Sequence, residues 1–237
     1  MSRCGGILRQ HELHASIADA CHEAIWTYPA PDAPERIVSY GAFLQEELGY
    51  TPFFVRYNTG LALAENGRRL ATLLVELAAC YPVPIEEIVL IGHSMGGLIT
   101  LRTLLKKSDL GLTSSAVCAP LLGLAMKPPV LKKLFGILIE PILGRLPLKN
   151  ELDPKLLSHD PSVQTLYVEN PLNHSFVTSR FFVQMNREME LLKSPLSEYG
   201  YPLMIISPLA DEIVSWKAGL SFFERIKMKA GFKKEYQ

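Results

Sequence analysis

A chain of 237 residues, 48% of them hydrophobic, suits one α/β domain, alone or with an insertion, and can bury a sizeable core. Lys+Arg and Asp+Glu are both 24, so the formal net charge is zero, which excludes the basic footprint of a nucleic-acid-binding protein. Cys4, Cys21, Cys80 and Cys118 form no Cys-x-x-Cys pair. Cys80 and Cys118 fall in apolar surroundings, so the sequence predicts buried thiols in a reducing, cytoplasmic setting rather than a disulfide scaffold.

Residues 1–36 are the least readable. The first fourteen are polar and lack the apolar core of a signal peptide. Leu13, Ile17, Cys21 and Ala24 recur at helical spacing, which predicts a helix over 12–24; residues 24–28 read equally as a short strand. Pro29, Pro31 and Pro34 predict a loop. Ile37, Tyr40, Leu44 and Leu48 form a helical stripe that Gly49 is placed to end. Residues 52–57 are a compact apolar run, expected to be a buried parallel strand. Leu70, Leu73, Leu74, Leu77 and Ala78 trace a helix face, stopped by Pro82 and Pro84.

The most informative stretch follows. Ile88, Val89, Leu90 and Ile91 run straight into Gly92-His93-Ser94-Met95-Gly96-Gly97, and an amphipathic segment with Leu98, Leu101, Leu104 and Leu105 comes next. Strand, Gly-x-Ser-x-Gly turn and helix together are the context in which a serine becomes a nucleophile. The sharp turn crowds the positions two before and two after Ser94, and glycine has no Cβ to clash there. Ser94 then sits at a helix N-terminus, and the N–H of Met95 is placed as one oxyanion donor. His93 is adjacent in sequence and is expected to pack away from the site. Residues 113–119 predict the next strand, so strands and helices alternate as in a parallel sheet.

After Pro120 the rhythm changes. Residues 121–195 show no convincing buried strand. Leu131, Leu134, Phe135, Leu138 and Ile142 keep helical spacing, mixed with lysines and cut by prolines, and residues 175–192 read as one longer helix. The longest apolar run, 134–143, is broken by Glu140 and Pro141 and is too short to cross a bilayer. Residues 202–207 restore the strand pattern, and Asp211 follows after a short loop. A carboxylate there lies on the sheet edge that carries Ser94, where it can orient a base. The expected divisions are therefore 1–36, unread; 37–120, first part of the core; 121–195, a helical cap insertion over the site; and 196–237, second part of the core. No metal-ligand spacing and no phosphate-binding glycine loop appears, so no cofactor is expected.

Gly92-His93-Ser94-Met95-Gly96-Gly97, the helical insertion and Ala210-Asp211-Glu212-Ile213-Val214 resemble the monoacylglycerol lipase and lysophospholipase family of α/β-hydrolases. Leu152-Asp153-Pro154-Lys155-Leu156-Leu157-Ser158-His159-Asp160-Pro161 and Asn170-Pro171-Leu172 resemble that family's cap. The likeness covers residues 85–226; Tyr57-Asn58-Thr59-Gly60 through Glu65-Asn66-Gly67 is more similar to bacterial lipase-type esterases of the same superfamily. The resemblance implies an α/β-hydrolase fold, a mostly parallel sheet flanked by helices, acting on a small lipid or ester. Its catalytic residues would be Ser94 and Asp211, and the basic and apolar cap offers peripheral membrane contact.

Two departures bear on activity. The family's base is a His after the last core strand, and no His follows Asp211; residues 232–237 resemble the start of that strand. The family's early His-Gly pair, whose loop supplies the second oxyanion donor, has no counterpart before Ile37, where residues 24–28 are expected to fill the strand slot beside the nucleophile strand. The sequence thus reads as truncated at both ends. His11, His14, His22, His93, His159 and His174 all precede the acid, and the family pattern assigns none of them as base; His159 and His174 are expected to be solvated or capping residues of the cap. Two readings stay open: a serine hydrolase of carboxylic esters, or a non-catalytic hydrolase-fold protein that lacks its base.

Overall fold

The computed structural model describes residues 13–17, 27–30, 33–58, 61–126, 140, 142–149, 152–170 and 176–237. Its framework is a six-stranded sheet built from β1 (Leu13–Ile17), β4 (Thr51–Val55), β5 (Ile88–His93), β6 (Ser114–Cys118), β9 (Leu203–Ile206) and β10 (Lys234–Tyr236). The strand order is β10-β9-β6-β5-β1-β4, and every pairing is parallel. The expected α/β class and strand–helix alternation are observed.

The N-terminal expectations need correction. Residues 13–17 are a strand, not a helix, and they, not residues 24–28, occupy the slot between β4 and β5. Leu13 and Ile17 are spaced for a helix, but Leu13, Ala15 and Ile17 also alternate. Two open strand edges in mid-sheet demand backbone partners, and that demand outweighs a short local pattern. Of the prolines expected to form a loop, Pro29 and Pro34 lie in an antiparallel strand pair, β2 (Thr27–Ala30) with β3 (Ala33–Ser39), and Pro31 lies outside the described residues. A two-stranded sheet tolerates proline because each strand has an edge that needs no N–H.

Ser39 ends β3 and caps α1 (Tyr40–Leu48), its hydroxyl accepting from the Ala42 N–H at 2.9 Å. Gly49 closes α1 at φ 78°, a conformation that favours glycine. β4 lies at one margin of the sheet and is half-buried, with Phe54 exposed, so the expected fully buried strand is not seen. α2 (Leu63–Cys80) buries Leu63, Asn66, Leu70, Ala71 and Leu74, one face of a helix. Cys80 ends that helix on its exposed side, which corrects the expectation of a buried thiol. α3 (Ser94–Leu104) is buried almost all round; Leu98 and Leu101 are fully enclosed. It packs against α2 and the sheet, and this layer is the centre of the core.

Between β6 and β9 the chain makes two short strands that the sequence did not suggest. β7 (Pro147–Lys149) pairs antiparallel with β8 (Phe176–Thr178). A 3₁₀ turn (Pro154–Leu156), α4 (Pro161–Glu169) and α5 (Ser179–Leu191) complete the described part. The helix read over 175–192 starts later, because Thr178 caps it with a hydroxyl accepting from the Phe181 N–H at 3.1 Å. The stripe from Leu131 to Leu138 lies outside the described residues. α6 (Trp216–Arg225) precedes β10, whose position bears out the reading of residues 232–237 as a core strand.

Candidate active site

β5 is flanked on both sides by parallel partners, so its C-terminal end is held firmly where the chain must reverse into α3. The reversal falls on Ser94, which adopts φ 48°. A non-glycine residue there costs about 1–3 kcal/mol and persists only when its surroundings enforce it. Those surroundings are explicit. A Cβ on Gly92 would stand 2.7 Å from Thr100 Oγ1 and 2.9 Å from the Gly96 carbonyl, so only glycine lets β5 and α3 approach so closely. The Leu121 N–H donates to the Ser94 carbonyl at 2.9 Å and ties the turn to the segment after β6. In that segment Ala119 is also left-handed, at φ 42°. Ser94 therefore opens α3, and the Met95 N–H belongs to the first turn, whose donors have no intrahelical acceptor.

Asp211 follows β9 and lines the same cavity as Ser94, a space of about 560 Å³. Its Oδ1 accepts from the N–H groups of Ile213 and Val214, both at 2.8 Å. This fixes the carboxylate and leaves Oδ2 open to another donor. His93 lines the cavity too, which corrects the expectation that it packs away from the site. Burial holds its imidazole below the usual histidine range, and the negative charge of Asp211 partly opposes that shift. Cys118, at the end of β6, is half-buried in the same lining. Burial and the Asp211 carboxylate both push its thiol up, so it stays protonated and weakly nucleophilic.

The opposite wall comes from the β6–β9 connection: Leu152, the 3₁₀ turn and the residues up to His159, with Tyr167 of α4. Sequence reasoning placed His159 in this segment as a solvated or capping residue. It is exposed, and it also faces the cavity. The contributions of Cys118, Lys155 and Tyr167 were not anticipated; no local pattern marks a residue whose role is set by a neighbour far away in the chain. His174 lies outside the described residues, as do His11 and His22. Among the described residues no cluster of His, Cys, Asp and Glu could hold a metal ion, and no helix is long and apolar enough to cross a membrane.

A strained serine between a parallel strand and a buried helix, with a carboxylate from the end of the strand two places along the sheet in the same cavity, is the arrangement shared by α/β-hydrolases. The family model described as serine aminopeptidase, S33, matches residues 70–237. The chain belongs to that family. The chain is 29% identical over 135 residues to an uncharacterized abhydrolase domain-containing protein of Dictyostelium discoideum. The match covers 57% of this chain and only 14% of that much longer relative. Its fold is similar to that of a monoacylglycerol lipase from Paleococcus ferrophilus, at TM-score 0.73 and 22% identity, covering 94% of this chain and 82% of the other. A soluble variant of the monoglyceride lipase of Saccharomyces cerevisiae aligns at TM-score 0.71 and 15% identity, over 95% and 77% of the two chains. At these identities the likeness concerns the fold.

Proposed function

We propose that this hydrolase cleaves carboxylic esters of monoacylglycerol or lysophospholipid type through a serine acyl-enzyme. The observation that carries the reading is the left-handed Ser94 at the head of α3, sharing a cavity with Asp211. In this scheme Ser94 Oγ attacks the ester carbonyl, and the Met95 N–H supports the oxyanion. Asp211 Oδ2 orients the imidazole that takes the serine proton, and water then releases the acyl group. Among the described residues His93 and His159 are the imidazoles in the cavity lining.

The cavity fits an acyl ester in kind. Leu152, Leu156, Leu157, Ile213 and Val214 supply apolar surface for an acyl chain, beside the polar groups of the same lining. Residues 121–195 act as the cap between the two parts of the core. Exposed Ile142, Val168 and Leu166 offer that cap a peripheral contact with a lipid surface in the cytoplasm.

The test is labelling by a fluorophosphonate probe together with hydrolysis of a short-chain nitrophenyl ester, each on the wild type and on Ser94→Ala. Labelling and turnover in the wild type, with a loss of at least about 10³-fold in Ser94→Ala, support the scheme. Equal signals from the two proteins overturn it in favour of a non-catalytic ligand-binding protein. His93→Ala and His159→Ala then assign the base, whose removal costs about as much as losing the serine.

A further inference from the structure

Ser94 and Asp211 stand past the ends of β5 and β9, and β6 lies between those strands in the sheet. A second connection joins the two residues beyond the strand ends. It is the segment 119–125, which leaves β6 through Ala119 at φ 42°. At its near end the Leu121 N–H donates to the Ser94 carbonyl at 2.9 Å. A Cβ on Gly97 would meet Pro120 at 3.1 Å, so this end also lies tight on the first turn of α3. At its far end the segment pairs with residues 213–215. The Ser215 N–H donates to the Gly123 carbonyl and the Ala125 N–H to the Ile213 carbonyl, both at 2.9 Å, and Leu124 bridges Val214 antiparallel. Ile213 and Val214 are the two residues whose N–H groups hold the Asp211 carboxylate. Leu121, Leu122 and Val214 are buried, so the connection is packed as well as hydrogen-bonded.

We propose that the segment 119–125 is a strap that sets the Asp211 carboxylate relative to Ser94, with Gly123 as its positioning residue. This rests on the reading of Ser94 and Asp211 as nucleophile and acid, and adds what holds the two in register. Sheet pairing fixes the strand ends, but Asp211 lies in the loop beyond β9 and needs a partner of its own. Gly123 is half-buried at the middle of that partner. A Cβ there would stand 2.8 Å from the Ala218 Cβ on α6, closer than two carbons can come. Gly123 is not left-handed, so an added methyl is opposed by that contact and not by the backbone. The methyl therefore pushes the strap off residues 213–215, and Asp211 moves with the N–H groups that hold it. A displacement of about 1 Å in a catalytic group costs about a hundredfold in rate.

The test compares Asp211→Asn, Gly123→Ala, and Gly123→Ala combined with Ala218→Gly, through the NMR titration of the His93 imidazole in each folded protein. The Asp211 charge raises the His93 value against the effect of burial, so that value reports where the carboxylate stands without any bond being cleaved. Asp211→Asn lowers it. Gly123→Ala is expected to move it by at least about half as much, and to cut kcat for the nitrophenyl ester by about tenfold or more with KM within about twofold. Ala218→Gly removes the facing methyl and restores both readings. Ala125→Pro, at an exposed position after the extended Leu124, deletes only the donor to Ile213. It is expected to shift both readings as Gly123→Ala does, and it decides the matter if Gly123→Ala does not fold. A folded strap variant with an unmoved His93 value overturns the proposal even where kcat or stability falls, and so does a shift that Ala218→Gly leaves in place. A wild type without turnover overturns the ester-cleaving scheme instead, and the titration still reads the strap.

Discussion

The two walls of the cavity are built on different principles. The core wall rests on α3, enclosed on all sides, and on strands paired on both edges. The facing wall rests on α4, which buries no residue and leaves Leu166 and Val168 exposed at 60% and 67%. Within the same connection α5 follows the rules of the core. Met185 and Met189 are buried in it, and Glu188 reaches Arg102 on α3 in an ion pair whose side chains are 12% and 18% exposed. The chain between β6 and β9 therefore has an anchored end, α5, and a middle stretch that touches the site while its helix α4 buries no residue fully. The enclosed packing lies with Ser94, and the solvent-exposed contacts lie with the segment around α4.

This contrast can be broken most severely at the anchor. Glu188→Ala leaves Arg102 largely buried and unpaired and is expected to destabilise by about 3–5 kcal/mol, read from urea unfolding. Truncating the core itself comes next: Leu98→Ala, at a fully buried position, costs about 2–5 kcal/mol in the same assay. Gly92→Ala forces a Cβ onto Thr100 and the Gly96 carbonyl, and costs about 1–3 kcal/mol together with loss of probe labelling.

A smaller effect depends on pH. His93 is held neutral by burial, below its ordinary value of 6.5. The unfolded chain then binds a proton that the folded chain refuses, so stability falls as pH drops below about 6.5. His93→Gln flattens that part of the curve, and unchanged pH dependence in the variant contradicts the assignment. At the bottom of the scale, Leu166→Ala on α4 changes stability by less than about 0.5 kcal/mol. A cost near that of Leu98→Ala would erase the distinction between the two walls.

Much of this was legible before any coordinates, because the governing physics is local. Gly92, Gly96 and the apolar run from Ile88 announce the turn at Ser94 within ten residues. The stripes of α1 and α2 and the position of Gly49 follow from periodicity and capping alone. Where the reading failed, the deciding partner was distant. Leu13–Ile17 is a strand because β4 and β5 both need a neighbour, and neither is visible from residues 12–24. The expected burial of Cys80 failed because an apolar neighbourhood in sequence does not say which side of α2 faces the sheet.

By itself, then, the sequence determined the α/β class, the tight strand-to-helix turn at Ser94 and the place of Asp211 after β9. Each is encoded by steric or hydrogen-bonding demands that act over a few residues. Only the tertiary structure decided that His93 turns into the cavity and that α5 is bound to α3 through Glu188 and Arg102. It alone brought Lys155 and His159 into one cavity lining with Asp211 and Glu212. Those facts depend on which distant segments share one space, and packing against the parallel sheet is what brings the segments together.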